Sequence, residues 1–165
     1  MKKLVIDNQA FKGLVNNICQ QISVSGWMPD YIVGITRGGL VPAVMLSHYF
    51  QKPLETLKVS LRDGGGTETN AWMSEDAFNG KKILIVDDIN DSGATINWII
   101  DDWRGSCLPD REHWSTVWNN NVKFATVVNN TASRALVNMD FVGTEINKSE
   151  NDVWVDFPYE DWWAK

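Results

Sequence analysis

Apolar residues recur at helical spacing over residues 8–24, where Phe11, Leu14, Val15, Ile18 and Ile22 share one face and Asn8 stands where an N-cap belongs. The next apolar run, "YIVGI" at 31–35, is continuous and short, the pattern of a strand buried on both faces. "TRGG" follows it. "LVPAVMLSHYF" then reads as a helix that must stop before Pro53, because the residue preceding a proline is driven out of helical geometry. A strand is predicted over 54–61, a long polar loop with several glycines over 62–80, and a central strand at 83–86. A helix is predicted over 93–103 and a short one over 109–118, inside the connection "WRGSCLPDREHWSTVWNNN". "VKFATVV" and "DFVGTEI" supply two more strands. Strands alternating with helices predict an α/β fold, a parallel sheet flanked by helices, in one domain covering 1–165 without repeats.

Composition narrows this picture only a little. The 165 residues are enough to bury roughly two thirds of the unfolded surface in a single core. With 44% hydrophobic and 22% charged residues, the proportions are globular. The apolar run near the start ends at Asp7, and no run approaches the ~20 residues of a membrane span, so a cytoplasmic protein without a membrane partner is expected. Cys19 and Cys107 are too few and too far apart for a disulfide scaffold, and His48 and His113 offer no metal-ligand spacing. A net charge of −6 argues against nucleic acid as a partner, since phosphate-backbone binding needs a basic face.

The chemistry concentrates in "ILIVDDINDSGAT", residues 83–95, where four aliphatic residues run into three acids. In parallel α/β sheets ligands bind beyond the carboxyl ends of the strands, which is where this stretch would stand. Ser92, Gly93, Ala94 and Thr95 would bring free backbone amides and two hydroxyls to a helix start, a ready site for an anion such as phosphate. Asp87 and Asp88 repel such an anion unless hydroxyl donors or a cation intervene, so a vicinal diol or Mg²⁺ is the implied partner. Alone, a D-x-S-G sequence would mean no more than a helix cap, but the full register is far more specific.

That register closely resembles the phosphoribosyl-pyrophosphate signature of type I phosphoribosyltransferases. "VGITRGGLVPA" resembles the family's pyrophosphate loop, and "VWVDFPYED" is similar to the W-x-x-x-P-W-E/D hood of bacterial xanthine-guanine and archaeal purine phosphoribosyltransferases. The resemblance covers about residues 31–162. It implies Mg²⁺-dependent transfer of 5-phosphoribosyl from phosphoribosyl pyrophosphate to a 6-oxopurine (guanine, xanthine or hypoxanthine) in purine salvage, by a homodimer or homotetramer. Asp87 and Asp88 would hold the ribose hydroxyls and the metal, and residues 91–95 the 5'-phosphate. Asp91 would also handle the purine N7 proton. Thr36, Arg37, Gly38 and Gly39 would bind pyrophosphate. A base-binding hood is expected over about 129–165 and a flexible lid over about 62–80, with Gly64, Gly65 and Gly66 as hinges. Trp154 would stack on the purine, and the Val155 backbone would read its 2-position; Asp156, Pro158 and Glu160 complete the hood pattern.

Three departures bear on specificity. Ser60 and Leu61 replace the Ser-Tyr pair at the lid base, and Tyr159 replaces a tryptophan. Where the family places a lysine that donates to the purine 6-oxo group, the aligned residue is Asn130. An amide both donates and accepts, so Asn130 is expected to meet a 6-oxo group, with a 6-amino group as the alternative. An adenine or orotate enzyme of the same fold, and a catalytically weak nucleotide-sensing regulator, are the competing readings. The hood pattern disfavours orotate, and the acidic balance with no basic stripe disfavours an RNA-binding regulator.

Overall fold

A computed structural model describes residues 1–61, 66–107 and 111–165, the side chain of Arg111 apart. In chain order the elements are β1 (Lys2–Val5), α1 (Asn8–Ser25), β2 (Tyr31–Thr36), α2 (Leu40–Phe50), β3 (Leu54–Ser60), β4 (Gly66–Thr67) and α3 (Ala71–Phe78). β5 (Ile83–Asn90), α4 (Ala94–Ser106), α5 (Arg111–Ser115), β6 (Val122–Asn130), β7 (Phe141–Ile146), β8 (Val153–Asp156) and a 3-10 turn at Trp162–Ala164 complete the chain. Among the described residues, the main sheet has the order β4-β3-β2-β5-β6-β7, parallel except for β4, which pairs antiparallel with β3. From β2 the chain crosses to β3 on one side, and from β5 it crosses to β6 on the other. The order therefore reverses between β2 and β5, and parallel sheets bind ligands at the carboxyl ends of strands at such a reversal.

The continuous apolar runs have a simple cause, for alternate residues of each strand enter different cores. Ile32, Leu84, Val86, Ala125 and Val127 pack with Phe11, Val15, Ile18 and Ile22 of α1 and with Ala43 and Leu46 of α2. Val33, Ile35, Ile83, Ile85, Val122 and Phe124 pack on the opposite face with Met73, Ile96, Ile99 and Trp103. Aromatic rings fill much of that second face: Trp118 lies 5.5 Å from Trp114, 6.0 Å from Trp103 and 6.0 Å from Phe124, centroid to centroid. Trp98 only packs against its edge. Among the described residues no helix is long and apolar enough to cross a membrane.

Four expectations need correction. Asp7, not Asn8, caps α1, its carboxylate accepting from the Ala10 amide at 2.8 Å. The central strand does not end at Val86 but runs on to Asn90, with Asp87 opposite Thr126 of β6. Residues 62–80 are not one loop: β4 and α3 lie within them, while residues 62–65, including Gly64 and Gly65, fall outside the described residues. α3 is anchored in the core by Met73 and Ala77, and buried Ser74 donates to the Trp103 carbonyl at 2.7 Å. The short helix expected over 109–118 is confined to Arg111–Ser115 among the described residues.

The two ends of the chain build a second, two-stranded parallel sheet, β1 against β8, with Leu4 opposite Val155. Val155 of this sheet, with Ile6 and Phe157 just beyond its strands, joins the first core, where Phe11 meets Phe157 edge-on at 6.1 Å. This small sheet holds Trp154 over the carboxyl end of the main sheet.

Trp103→Ala should lower unfolding free energy by about 3–5 kcal/mol, the range for a fully buried large aromatic, whereas Trp98→Ala should cost about 1–2 kcal/mol or less. Urea unfolding of both variants checks this, and equal losses would contradict the division between core and edge.

Candidate functional site

The reversal between β2 and β5 brings two loops together, and the close approach demands glycine. A Cβ on Gly39 would lie 2.5 Å from the Val86 carbonyl oxygen and 2.7 Å from that of Ile35. One on Gly38 would overlap the Asp88 carboxylate. Only hydrogen side chains let the loop after β2 rest against the acid strand. The Thr36–Arg37 peptide within this loop is cis.

Asp87 and Asp88 project from the end of β5, both half-buried. The Asp87 carboxylate accepts from the Asp88 amide at 2.9 Å, and Asp88 accepts from the Ile89 amide at 2.8 Å. Burial, reinforced by repulsion from Asp88, pushes the Asp87 carboxyl well above the usual carboxylate range. The Tyr159 hydroxyl donates to the second Asp88 oxygen at 2.9 Å, so the residue that departs from the hood pattern is tied to the acid pair. Its ring stacks on Phe157 at 5.5 Å and meets Phe11 edge-on. Burial, with Asp88 next, raises the Tyr159 phenol and keeps it a donor.

After β5 the chain turns through Ser92 and Gly93 into α4. Gly93 has φ 91°, and a Cβ there would collide with the Ala135 amide nitrogen. The residues after β6 are therefore laid directly over this turn: the Arg134 amide donates to the Ser92 carbonyl at 2.9 Å, and Asn97 holds the Arg134 carbonyl at 3.0 Å. Asn90 joins the same seam through Asn129 and Ser133. The first turn of α4 carries no acidic residue, so its amides and dipole offer an unopposed positive end.

These parts line one cavity of about 510 Å³, within the usual range for small-ligand sites. Of the residues expected from sequence, Thr36, Arg37, Asp87, Asp88, Asp91, Ser92, Gly93, Ala94, Thr95, Trp154 and Val155 line it. Gly38 and Gly39 do not; they permit the approach of the loop. Ser60 and Leu61 reach its rim from β3.

Asn130, expected to meet the 6-position of a purine, is placed elsewhere. It does not line the cavity but is buried, at 6% exposure, as a clamp. Its Nδ2 donates to the Asp91 carbonyl at 2.8 Å, while Oδ1 accepts from the amides of Ala132 at 3.2 Å and Lys148 at 3.0 Å. Both ends of the amide are engaged by main chain. Lys148, on the β7–β8 connection, brings a cation next to Asp91. Its ammonium lies 3.0 Å from Asp91 Oδ1, with 15% and 18% of the two side chains exposed, and it lines the cavity. Nothing in the polar run "NKSEND" singles Lys148 out before the fold is known.

Among the described residues no three metal-binding side chains cluster. The acid pair nevertheless suits a hard cation such as Mg²⁺, which commonly takes one or two carboxylates and completes its shell with water and substrate phosphate. Burial and the neighbouring Asp88 raise the Asp87 carboxyl, and a positive charge beside the pair would offset both effects.

The sequence profile described as the phosphoribosyl transferase domain matches residues 4–162. The chain is 31% identical over 134 residues to a xanthine-guanine phosphoribosyltransferase of Cereibacter sphaeroides, covering 78% of this chain and 68% of that one. The purine phosphoribosyltransferase of Pyrococcus horikoshii superposes with a TM-score of 0.67 at 22% identity, covering 97% and 95% of the two chains. The Helicobacter pylori xanthine-guanine-hypoxanthine phosphoribosyltransferase gives 0.64 at 16%, with the same coverage.

The clamp makes a prediction opposite to that for a base-contacting amide. Asn130→Lys should destabilise the protein by about 3 kcal/mol or more, because it buries a charge and leaves backbone groups unmatched, and Asn130→Ala by roughly 2–3 kcal/mol. Urea unfolding measures both. A fully stable Asn130→Lys protein would show that the amide is not structural.

Proposed function

The chain belongs to the phosphoribosyl transferase domain family, and from that premise we propose that it transfers 5-phosphoribosyl from phosphoribosyl pyrophosphate to a 6-oxopurine, releasing pyrophosphate and a nucleoside 5'-monophosphate. The observation that carries this reading is a single cavity lined by a helix start free of acids, a carboxylate pair, an acid–lysine pair and an indole.

The first-turn amides of α4, with the Ser92 and Thr95 hydroxyls, bind the 5'-phosphate, where the helix dipole favours an anion. Asp87 and Asp88 accept from the ribose hydroxyls and would hold Mg²⁺. When bound, that ion would neutralise the departing pyrophosphate and orient it. Arg37 and Thr36 meet the same leaving group from the other loop, the guanidinium offering paired donors to phosphate oxygens. Trp154, 43% exposed and lining the cavity, offers its face to the purine, and Val155 lies beside it. Asp91 lines the same cavity as the phosphate cradle and Trp154. Its carboxylate turns away from the anion and accepts the N7 proton as N9 attacks the ribose carbon. The transition state has oxocarbenium character, so most of the catalytic effect is positioning and charge compensation in a water-poor cleft.

A panel of guanine, hypoxanthine, xanthine, adenine and orotate, each with phosphoribosyl pyrophosphate and Mg²⁺ and scored by pyrophosphate release, tests the assignment. Turnover of 6-oxopurines is expected; preference for adenine or orotate, or no turnover at all, would overturn it. Asp91→Asn should lower kcat by ~10² while leaving the KM for phosphoribosyl pyrophosphate within about threefold, the scale for loss of an acid–base group. An unchanged kcat would reduce Asp91 to a structural role. The double variant Asp87→Asn with Asp88→Asn should lose turnover without losing thermal stability, because the substitutions relieve a repulsion; activity retained in the variant would remove the acid pair from the site.

A further inference from the structure

The proposed reaction uses Asp91 but assigns nothing to the cation beside it. Lys148 and Asp91 come from connections on different sides of β6, yet their relative position is set by main chain. The buried amide of Asn130 accepts from the Lys148 N–H and donates to the Asp91 carbonyl. The Lys148 loop is further stiffened by Asn147, whose side chain accepts from the Ser149 amide and hydroxyl and whose carbonyl accepts from Glu150 and Asn151. With their backbones held in this way, the two charged tips meet at 3.0 Å on the cavity wall as an acceptor–donor couple.

An ammonium has three donors, and a single carboxylate oxygen accounts for one of them. At 15% exposure the rest gain most from an acceptor brought in by a ligand. A 6-oxopurine presents along one edge the exocyclic oxygen and N7, which carries a proton in the tautomer whose N9 attacks. That edge is an acceptor beside a donor, the complement of ammonium beside carboxylate. Adenine places an amino group where the oxygen would be, setting donor against donor.

Resting on the 6-oxopurine reading above, we infer that Lys148 is the specificity-determining residue: its ammonium donates to the 6-oxygen while Asp91 accepts from N7–H, and Asn130 acts only by holding the two in register. Base discrimination in this chain thus comes from the β7–β8 connection and not from the end of β6.

The test compares guanosine 5'-monophosphate with 2-aminopurine riboside 5'-monophosphate, which lacks the 6-oxygen, binding to the native protein, Lys148→Met and Lys148→Gln by isothermal titration calorimetry. Lys148→Met should weaken the guanine nucleotide at least tenfold and leave the 2-aminopurine nucleotide within about twofold, and Lys148→Gln should fall between native and Met. In turnover, Lys148→Met should lower kcat/KM for guanine while the KM for phosphoribosyl pyrophosphate stays within about twofold. Equal losses for both nucleotides, or none for either, would overturn the inference alone, since a lysine acting only through Asp91 does not sense the 6-oxygen. A native protein that binds neither nucleotide and turns over no 6-oxopurine would overturn the functional reading itself.

Discussion

Two carboxylates stand side by side at the end of the central strand, where burial and repulsion from Asp88 push the Asp87 carboxyl above the usual range. Much of the surrounding structure accommodates that pair. Gly38 gives up a side chain so that the Asp88 carboxylate can occupy the space, and Gly39 lets the loop after β2 touch the β5 backbone. Tyr159 brings a neutral donor to Asp88 from the far end of the chain. Because Tyr159 also stacks on Phe157, and Phe157 on the core beneath α1, the small β1–β8 sheet is fastened to the acid pair as well as to the hydrophobic core. An arrangement that keeps two like charges together against their repulsion is stable only with such support, and it is poised for a ligand that supplies hydroxyls or positive charge.

The reversal of strand order explains why this pair shares a cavity with the phosphate cradle. β2 and β5 are neighbours in register, Gly34 opposite Val86, so whatever follows each strand emerges at the same place. The seam from β6 then fixes the turn into α4 by laying Ala135 against Gly93.

Legibility in the sequence followed the physics of each segment. β2 and β5 were plain because strands buried on both faces leave unbroken apolar runs, and the phosphate cradle was plain because its glycines, acids and hydroxyls are contiguous. α3 was hidden because one of its buried residues is Ser74, whose hydroxyl is satisfied only by α4. β1 was hidden because all four of its residues are exposed and its pairing partner lies at the other end of the chain. Lys148 was hidden for a tertiary reason. It lies on a polar loop that meets Asp91 and the cavity only in space, while the buried amide of Asn130 is engaged on both ends by backbone.

If one cleft at the β2–β5 reversal holds ribose phosphate and base together, guanosine 5'-monophosphate should leave its mark there in a backbone amide chemical-shift titration. The largest shifts should fall on the amides of Ser92, Gly93, Ala94 and Thr95, with accompanying shifts at Lys148 and the Trp154 indole. Shifts centred elsewhere, such as the groove between His113 and Asn121, with those amides unmoved, would contradict it.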